Sequence, residues 1–186
     1  MKLLIIYGTV EGQTRKIVKV LQREAKLKNH TVSLNDASGA HLSPFGFDAV
    51  IIASSLHNGK YQASVEHYVE EHAKLLNNIV GAFVSVSLTA AYEEPEGWKE
   101  LEDITKDFLN RTGWHPTFID QVAGALRYSK YNYFKKFIMR NIAQKNEAQT
   151  DTSEDYEYTD WGQVTRILTK LEEAVSEAKK SKKVTT

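Results

Sequence analysis

Residues 3–17 of the chain read LLIIYGTVEGQTRKI, and this stretch decides the fold. Its first five side chains, residues 3–7, are all apolar, which predicts a strand buried on both faces of a sheet. A short loop of glycines and threonines follows, and apolar residues then recur at helical spacing through about residue 28. A strand, a tight loop and a helix in this order predict a parallel sheet with crossover helices.

The same alternation continues along the chain. Apolar runs predict four further strands, at residues 31–34, 49–53, 82–88 and 118–123. Helical spacing returns in three segments, which begin near residues 65, 95 and 161. The last helix is expected to fray in the sequence KKSKKVTT at residues 179–186. The predicted fold class is therefore α/β, a flavodoxin-like five-stranded parallel sheet of strand order 2-1-3-4-5 with helices on both faces.

Composition restricts the class of protein. The 186 residues, 41% of them hydrophobic, suffice for one core, and a single domain over residues 1–186 is expected. Cysteine is absent, which excludes disulfide scaffolds, cysteine-ligated metal centres and thiol catalysis. The 24 basic and 24 acidic residues give zero net charge, which argues against a nucleic-acid partner. The longest apolar stretch, residues 79–88, is about half of the ~20 residues that span a bilayer, so a cytoplasmic location is expected.

The first candidate site is the loop at residues 8–14. A helix N-terminus offers free backbone N–H groups and a partial positive charge to a phosphate, and Thr9 and Thr14 add hydroxyls. Neither G-x-x-x-x-G-K-[ST] nor G-x-G-x-x-G is present, which argues against a nucleoside triphosphatase and a dinucleotide site. An ordinary turn between strand and helix is the alternative interpretation. Glu11, whose carboxylate would repel a phosphate, is expected to point outward or to interact only with the helix dipole.

Two further loops leave the same edge of the predicted sheet. Residues 54–61 follow the third strand and residues 87–92 follow the fourth, and both contain small residues that let the backbone approach a flat ligand. Tyr61 and Tyr92 are candidates to stack on that ligand. A turn with a surface tyrosine explains each loop taken singly. The three loops together favour a phosphorylated aromatic cofactor.

Several motifs resemble known families. The first loop resembles the flavodoxin phosphate loop T-x-T-G-x-T, with Glu11 in place of the central hydroxyl residue. A more specific resemblance is to the menaquinone-dependent protoporphyrinogen IX dehydrogenases. It rests on residues 3–17, on AGALRYSKY at 123–131, on KYNYFKKFIMRNI at 130–142 and on YTDW at 158–161. The resemblance spans nearly the whole chain.

This resemblance implies a noncovalent FMN cofactor, protoporphyrinogen IX as the substrate and menaquinone as the electron acceptor. The flavin would carry out the redox chemistry, and no residue is assigned as a catalytic acid or base. The FMN phosphate is expected at the first loop and the ring between the second and third loops. The cofactor-binding residues implied are Thr9, Val10, Glu11, Gly12, Gln13, Thr14, Leu56, His57, Asn58, Gly59, Ser87, Leu88, Thr89, Ala90, Ala91 and Tyr92.

A basic insertion at about residues 127–157 interrupts the alternation of strands and helices. Residues 127–146 contain six basic side chains and no acid, and at helical spacing their apolar side chains form one stripe. Such a helix can lie on an anionic membrane surface as a peripheral contact. Packing of the stripe on the sheet is the alternative. The candidate substrate or membrane contacts are Arg127, Tyr128, Lys130, Tyr131, Lys135, Lys136 and Arg140.

Other functions are weighed against the dehydrogenase. No metal site is predicted, because none of the six histidines lies in an H-E-x-x-H motif, and G-x-S-x-G is also absent. A flavodoxin-type electron carrier is the main alternative, although such carriers usually present an acidic face and this chain is neutral. A flavin-free binding module with the same fold is the third possibility, because a fold does not dictate a function.

Overall fold

The computed structural model describes residues 1–39, 42–92, 94–126 and 156–184. A five-stranded parallel sheet of order β2-β1-β3-β4-β5 forms its centre. The strands are Lys2–Gly8 (β1), Thr31–Asp36 (β2), Ala49–Ser55 (β3), Val80–Ser87 (β4) and Phe118–Ala123 (β5). The helices are Gln13–Leu27 (α1), Ala63–Leu76 (α2), Pro95–Thr112 (α3) and Trp161–Val184 (α4), and a short 3-10 turn covers Thr89–Ala91. The predicted fold class and strand order are confirmed.

Strand β1 shows why its sequence is apolar without interruption. Leu3, Ile5 and Tyr7 face the layer that contains α1 and α4, whereas Leu4 and Ile6 face the layer that contains α2 and α3. Successive side chains of a strand point to opposite faces, so a strand covered on both sides needs an apolar residue at every position. All five side chains are buried.

The register of the sheet brings the candidate loops together. Gly8 at the end of β1 pairs with Ser54 of β3, and Ser54 pairs with Ser85 of β4. Ser87 at the end of β4 pairs with Ala123 at the end of β5. Because the strands are parallel and end at similar heights, the loops after β1, β3, β4 and β5 leave from one edge.

The C-terminal helix is longer than the sequence predicts. It continues to Val184, so the prediction that residues 179–186 fray is wrong over most of that segment. Lys179 Nζ lies 3.0 Å from Asp48 Oδ1, and this ion pair ties the end of α4 to the start of β3. The backbone N–H of Lys2 and the Lys179 ammonium hold the pKa of Asp48 below its usual value. No helix in the described ranges is long and apolar enough to cross a membrane.

A two-stranded antiparallel ribbon was missed by the sequence analysis. Ala125–Leu126 (β6) pairs with Tyr156–Glu157 (β7) directly after β5. Strands of two residues are too short to show a periodic pattern, which explains the omission. The predicted insertion contacts Arg127, Tyr128, Lys130, Tyr131, Lys135, Lys136 and Arg140 lie outside the described residues.

Gly8 is required by packing between β1 and α2. A Cβ atom at this position would lie 2.6 Å from Cγ2 of Val65 and 2.9 Å from Cβ of Gln62. Both distances are far below a van der Waals contact, so the absence of a side chain allows α2 to pack against the end of β1. The first loop therefore begins at a point of close contact between the sheet and α2.

The substitution Gly8→Ala is expected to lower the free energy of unfolding by about 1–3 kcal/mol, because the added methyl group overpacks the contact with Val65 and Gln62. Urea denaturation measures the change. Gly39→Ala is the matched control, since a Cβ there meets nothing closer than 3.5 Å. Equal stability of the two variants would show that the contact at Gly8 does not constrain the fold.

Candidate functional site

A cavity of about 450 Å³ opens at the carboxyl edge of the sheet. Its volume lies within the roughly 300–1,000 Å³ of small-molecule sites. Twelve of the sixteen residues implied by the resemblance line it: Thr9, Val10, Glu11, Gln13, Thr14, Leu56, His57, Asn58, Gly59, Ser87, Leu88 and Thr89. The three candidate loops thus surround one cavity.

Four of the sixteen residues do not line the cavity, and other residues do. Gly12, Ala90, Ala91 and Tyr92 are outside the lining. The lining residues that sequence reasoning missed are Ser55, Val86, Gly97, Glu100, Leu101, Ile104, Gly124 and Ala125. Leu101 and Ile104 belong to the apolar stripe of α3, which the periodicity assigns to core packing. The small residues Gly124 and Ala125 directly after β5 were the signal that could have identified a fourth loop.

The first loop presents the start of α1 to the cavity. Gly12 has a φ of +93°, a left-handed conformation that side chains disfavour, and its N–H donates to Thr9 Oγ1 at 3.0 Å. The helix begins at Gln13, and no side chain caps its N-terminus. The first-turn N–H groups of a helix have no carbonyl partner within it, so they can bind an anion.

Thr14 carries a buried hydroxyl that fits an anionic ligand. The residue is fully buried and lines the cavity. Its Oγ1 finds no hydrogen-bond partner among the described residues. Buried polar atoms are nearly always paired, so a hydroxyl of this kind at a cavity points to a missing acceptor. A phosphate oxygen at the start of α1 would satisfy it.

Glu11 does not extend into solvent. It is half-buried, it lines the cavity, and its Oε1 is shielded from water. The expectation of an outward-pointing side chain is therefore wrong, and a carboxylate lies in the same loop as the Thr14 hydroxyl. Across the described parts of the chain, no three His, Asp or Glu side chains are grouped closely enough to hold a metal ion.

The second loop forms a tight turn whose backbone borders the cavity. His57 and Lys60 exchange two backbone hydrogen bonds, of 2.9 and 3.1 Å. Between them Asn58 and Gly59 have φ values of +51° and +71°, as in a type I′ turn. The Leu56 N–H donates to the Val86 carbonyl at 2.8 Å, which holds this turn against β4. Position 59 therefore needs the conformational freedom of glycine.

The third loop is fixed by its own polar groups. The Ala90 N–H donates to Ser87 Oγ at 3.1 Å, and the Gly124 N–H donates to the Ser87 carbonyl at 2.8 Å. The backbone carbonyl of Tyr92 accepts a hydrogen bond from Trp98 Nε1 at 2.8 Å. These contacts connect the third loop to α3 and to the segment after β5. The half-buried Tyr92 ring lies outside the cavity lining.

Comparisons with known proteins agree with this geometry. The family model described as "Flavodoxin domain" matches residues 4–153, well over half of the chain. The chain belongs to the flavodoxin-domain family. This confirms the resemblance that the first loop and the strand spacing predict.

Curated relatives of this flavodoxin-domain chain bear a more specific name. It is 31% identical over 172 residues to the protoporphyrinogen IX dehydrogenase [quinone] of Escherichia coli strain K12, covering 92% of this chain and 94% of the relative. It is 30% identical over 170 residues to the protein of the same name from Leishmania major, covering 89% of this chain and 72% of that protein. The resemblance to this dehydrogenase family is therefore confirmed.

A solved structure supports the fold alone. Oxidised flavodoxin 1 from Bacillus cereus superposes with a TM-score of 0.50 at 12% identity, covering 81% of this flavodoxin-domain chain and all of that protein. At this identity the likeness concerns the arrangement of strands and helices. It agrees with the strand order seen here.

Tyr61 of this flavodoxin-domain chain is a core residue. It is 5% exposed, and its ring lies 5.0 Å from the rings of Phe83 and Phe108. Its hydroxyl donates to Ser85 Oγ at 2.8 Å and lies 2.7 Å from Thr105 Oγ1. Burial raises the pKa of this phenol. The prediction that Tyr61 stacks on a ligand is wrong, because α3 covers the ring.

The substitution Tyr61→Phe is expected to lower the free energy of unfolding by about 1–3 kcal/mol, because it removes a buried hydroxyl between Ser85 and Thr105. The flavin affinity of the folded variant should be unchanged, since Tyr61 does not line the cavity. Thermal unfolding and flavin titration measure the two quantities. Weaker flavin binding at unchanged stability would mean that Tyr61 acts on the ligand.

Proposed function

We propose that the cavity binds FMN noncovalently. The phosphate would lie against the first turn of α1, where Thr14 supplies a hydroxyl that lacks a protein partner in the described chain. The helix N-terminus favours the negative charge of the phosphate. The ring would lie between the second and third loops, next to the Asn58–Gly59 turn. Since that turn and the third loop are fixed by backbone hydrogen bonds, little ordering would be needed on binding.

We further propose that the protein oxidises protoporphyrinogen IX and passes the electrons to a quinone. The observation that carries this proposal is the match to relatives of that name over 92% of this chain and 94% of the Escherichia coli protein. A match over nearly both full lengths leaves little room for a separate substrate domain in that relative. FMN, when bound, supplies the redox chemistry.

The cavity wall formed by α3 suits a large apolar substrate. Leu101 and Ile104 face the cavity from this helix, and Gly97 lets the helix approach the third loop, because a Cβ there would lie 3.1 Å from Thr89 Cγ2. The chain's role is then to bind and orient the cofactor and to shield it from water at this wall. The polar first loop and the apolar wall divide the cavity into two chemically different ends.

The substitution Thr14→Val is expected to weaken FMN binding by roughly 10- to 100-fold, the usual effect of losing a hydrogen bond to a charged group. The free energy of unfolding of the cofactor-free protein should not fall, because the Thr14 hydroxyl has no partner among the described residues. Flavin fluorescence quenching and urea denaturation measure the two quantities.

Thr14→Ser is the matched variant for this experiment, since it keeps the hydroxyl at the same backbone position. It should bind FMN nearly as well as the unaltered protein. Wild-type affinity in Thr14→Val would place the phosphate elsewhere.

The reaction itself is tested with the FMN-loaded protein under anaerobic conditions. Protoporphyrinogen IX should bleach the visible flavin band, and a menaquinone analogue should restore it through repeated cycles. A flavin that stays oxidised with the porphyrinogen but is reduced by a flavodoxin reductase would instead identify an electron carrier. Failure to bind FMN would identify a flavin-free binding module and contradict both oxidoreductase functions.

A further inference from the structure

A buried side chain fixes the first residue of α1 to a distant part of the chain. Gln13 is 8% exposed, and its Nε2 donates to Thr159 Oγ1 at 2.9 Å. Thr159 is also 8% exposed and lies between β7 and α4. The two residues are 146 positions apart, so this contact forms only in the folded chain.

Thr159 continues the connection to the end of the sheet. Its hydroxyl donates to the carbonyl of Ala123, the last residue of β5, at 2.7 Å. The next residue, Gly124, lines the cavity and donates its N–H to the Ser87 carbonyl of the third loop. One hydroxyl therefore accepts from the first loop and donates to the strand that supports the third loop. A hydroxyl is suited to this place because it both donates and accepts.

The same turn of α1 has a second, exposed tie to this segment. Lys16 forms an ion pair with Glu157 of β7, and its ammonium lies 5.2 Å from the centre of the Trp161 ring. Exposed ion pairs contribute little, because solvent and salt screen them. The buried contact from Gln13 to Thr159 is therefore the one that sets the position of the first turn.

We propose that Thr159 is a positioning residue that makes the site select a phosphorylated flavin. This inference rests on the proposed binding of FMN at the first loop. Phosphate recognition depends on the directions of the N–H groups in the first turn of α1, because hydrogen bonds weaken steeply with misalignment. Gln13 begins that turn, and Thr159 holds Gln13. The flavin ring would contact the second and third loops, which keep their own backbone hydrogen bonds.

A merely structural role of Thr159 gives a different expectation. Loss of its hydroxyl would then loosen the whole cavity and weaken the binding of every flavin to the same extent. Riboflavin has the same ring as FMN but no phosphate, so the ratio of the two affinities separates a positioning role from a structural one.

The test compares FMN and riboflavin binding to Thr159→Val by fluorescence quenching. FMN affinity should fall about tenfold, the effect of one lost hydrogen bond in the positioning network, while riboflavin affinity stays constant. The ³¹P resonance of bound FMN should also shift, because the phosphate meets a displaced helix terminus. An equal loss for both flavins, or no loss for either, would overturn the proposal.

Three variants guard against misinterpretation. Thr159→Ser should restore FMN selectivity, and Thr165→Val should have no effect, since the exposed Thr165 hydroxyl donates only to carbonyls of its own helix. Gln13→Met should give the same selective loss as Thr159→Val, and the double variant should lose no more than either single variant. Additive losses would overturn the proposed pathway through Gln13. If the unaltered protein binds riboflavin but not FMN any more tightly, the proposed phosphate site itself fails.

Discussion

The position of β1 between β2 and β3 is the constraint on which the rest of the structure depends. The chain leaves β1 through α1 toward one side of the sheet and returns through β3 on the other side. The strand order therefore reverses at β1, and the loops on its two sides diverge to leave a crevice at its carboxyl end. The cavity lies at this crevice, and the packing of α2 against Gly8 fixes where the first loop starts.

The two ends of the cavity use different physical means. At the start of α1, backbone N–H groups and the Thr14 hydroxyl provide polar groups that face a space rather than one another. At the opposite wall, α3 contributes Leu101 and Ile104, and small residues after β5 leave room beside them. The polar end suits a fixed charge, while the apolar end suits a large flat surface. Both ends are held by hydrogen bonds that are shielded from water.

The sequence predicts the sheet well, because its strands are buried on both faces and so become apolar runs, as in residues 3–7. It also predicts the three loops, because parallel strands place their carboxyl ends together. It fails where a side chain's role depends on contacts distant in sequence. Tyr61 resembles a surface tyrosine until α3 covers it, and the partner of Gln13 lies 146 residues away. Local periodicity contains no information on either contact.

The ribbon of β6 and β7 has a consequence for how this fold diversifies. Because Ala125–Leu126 and Tyr156–Glu157 are hydrogen-bonded neighbours, the chain departs from the sheet and comes back at almost the same point. The entropy of closing a loop rises only slowly with its length, so the stretch between the two strands can be lengthened, shortened or exchanged at small thermodynamic cost. Beside the cavity mouth, evolution thus has a graft point at which a common flavodoxin domain acquires new specificities without alteration of its core.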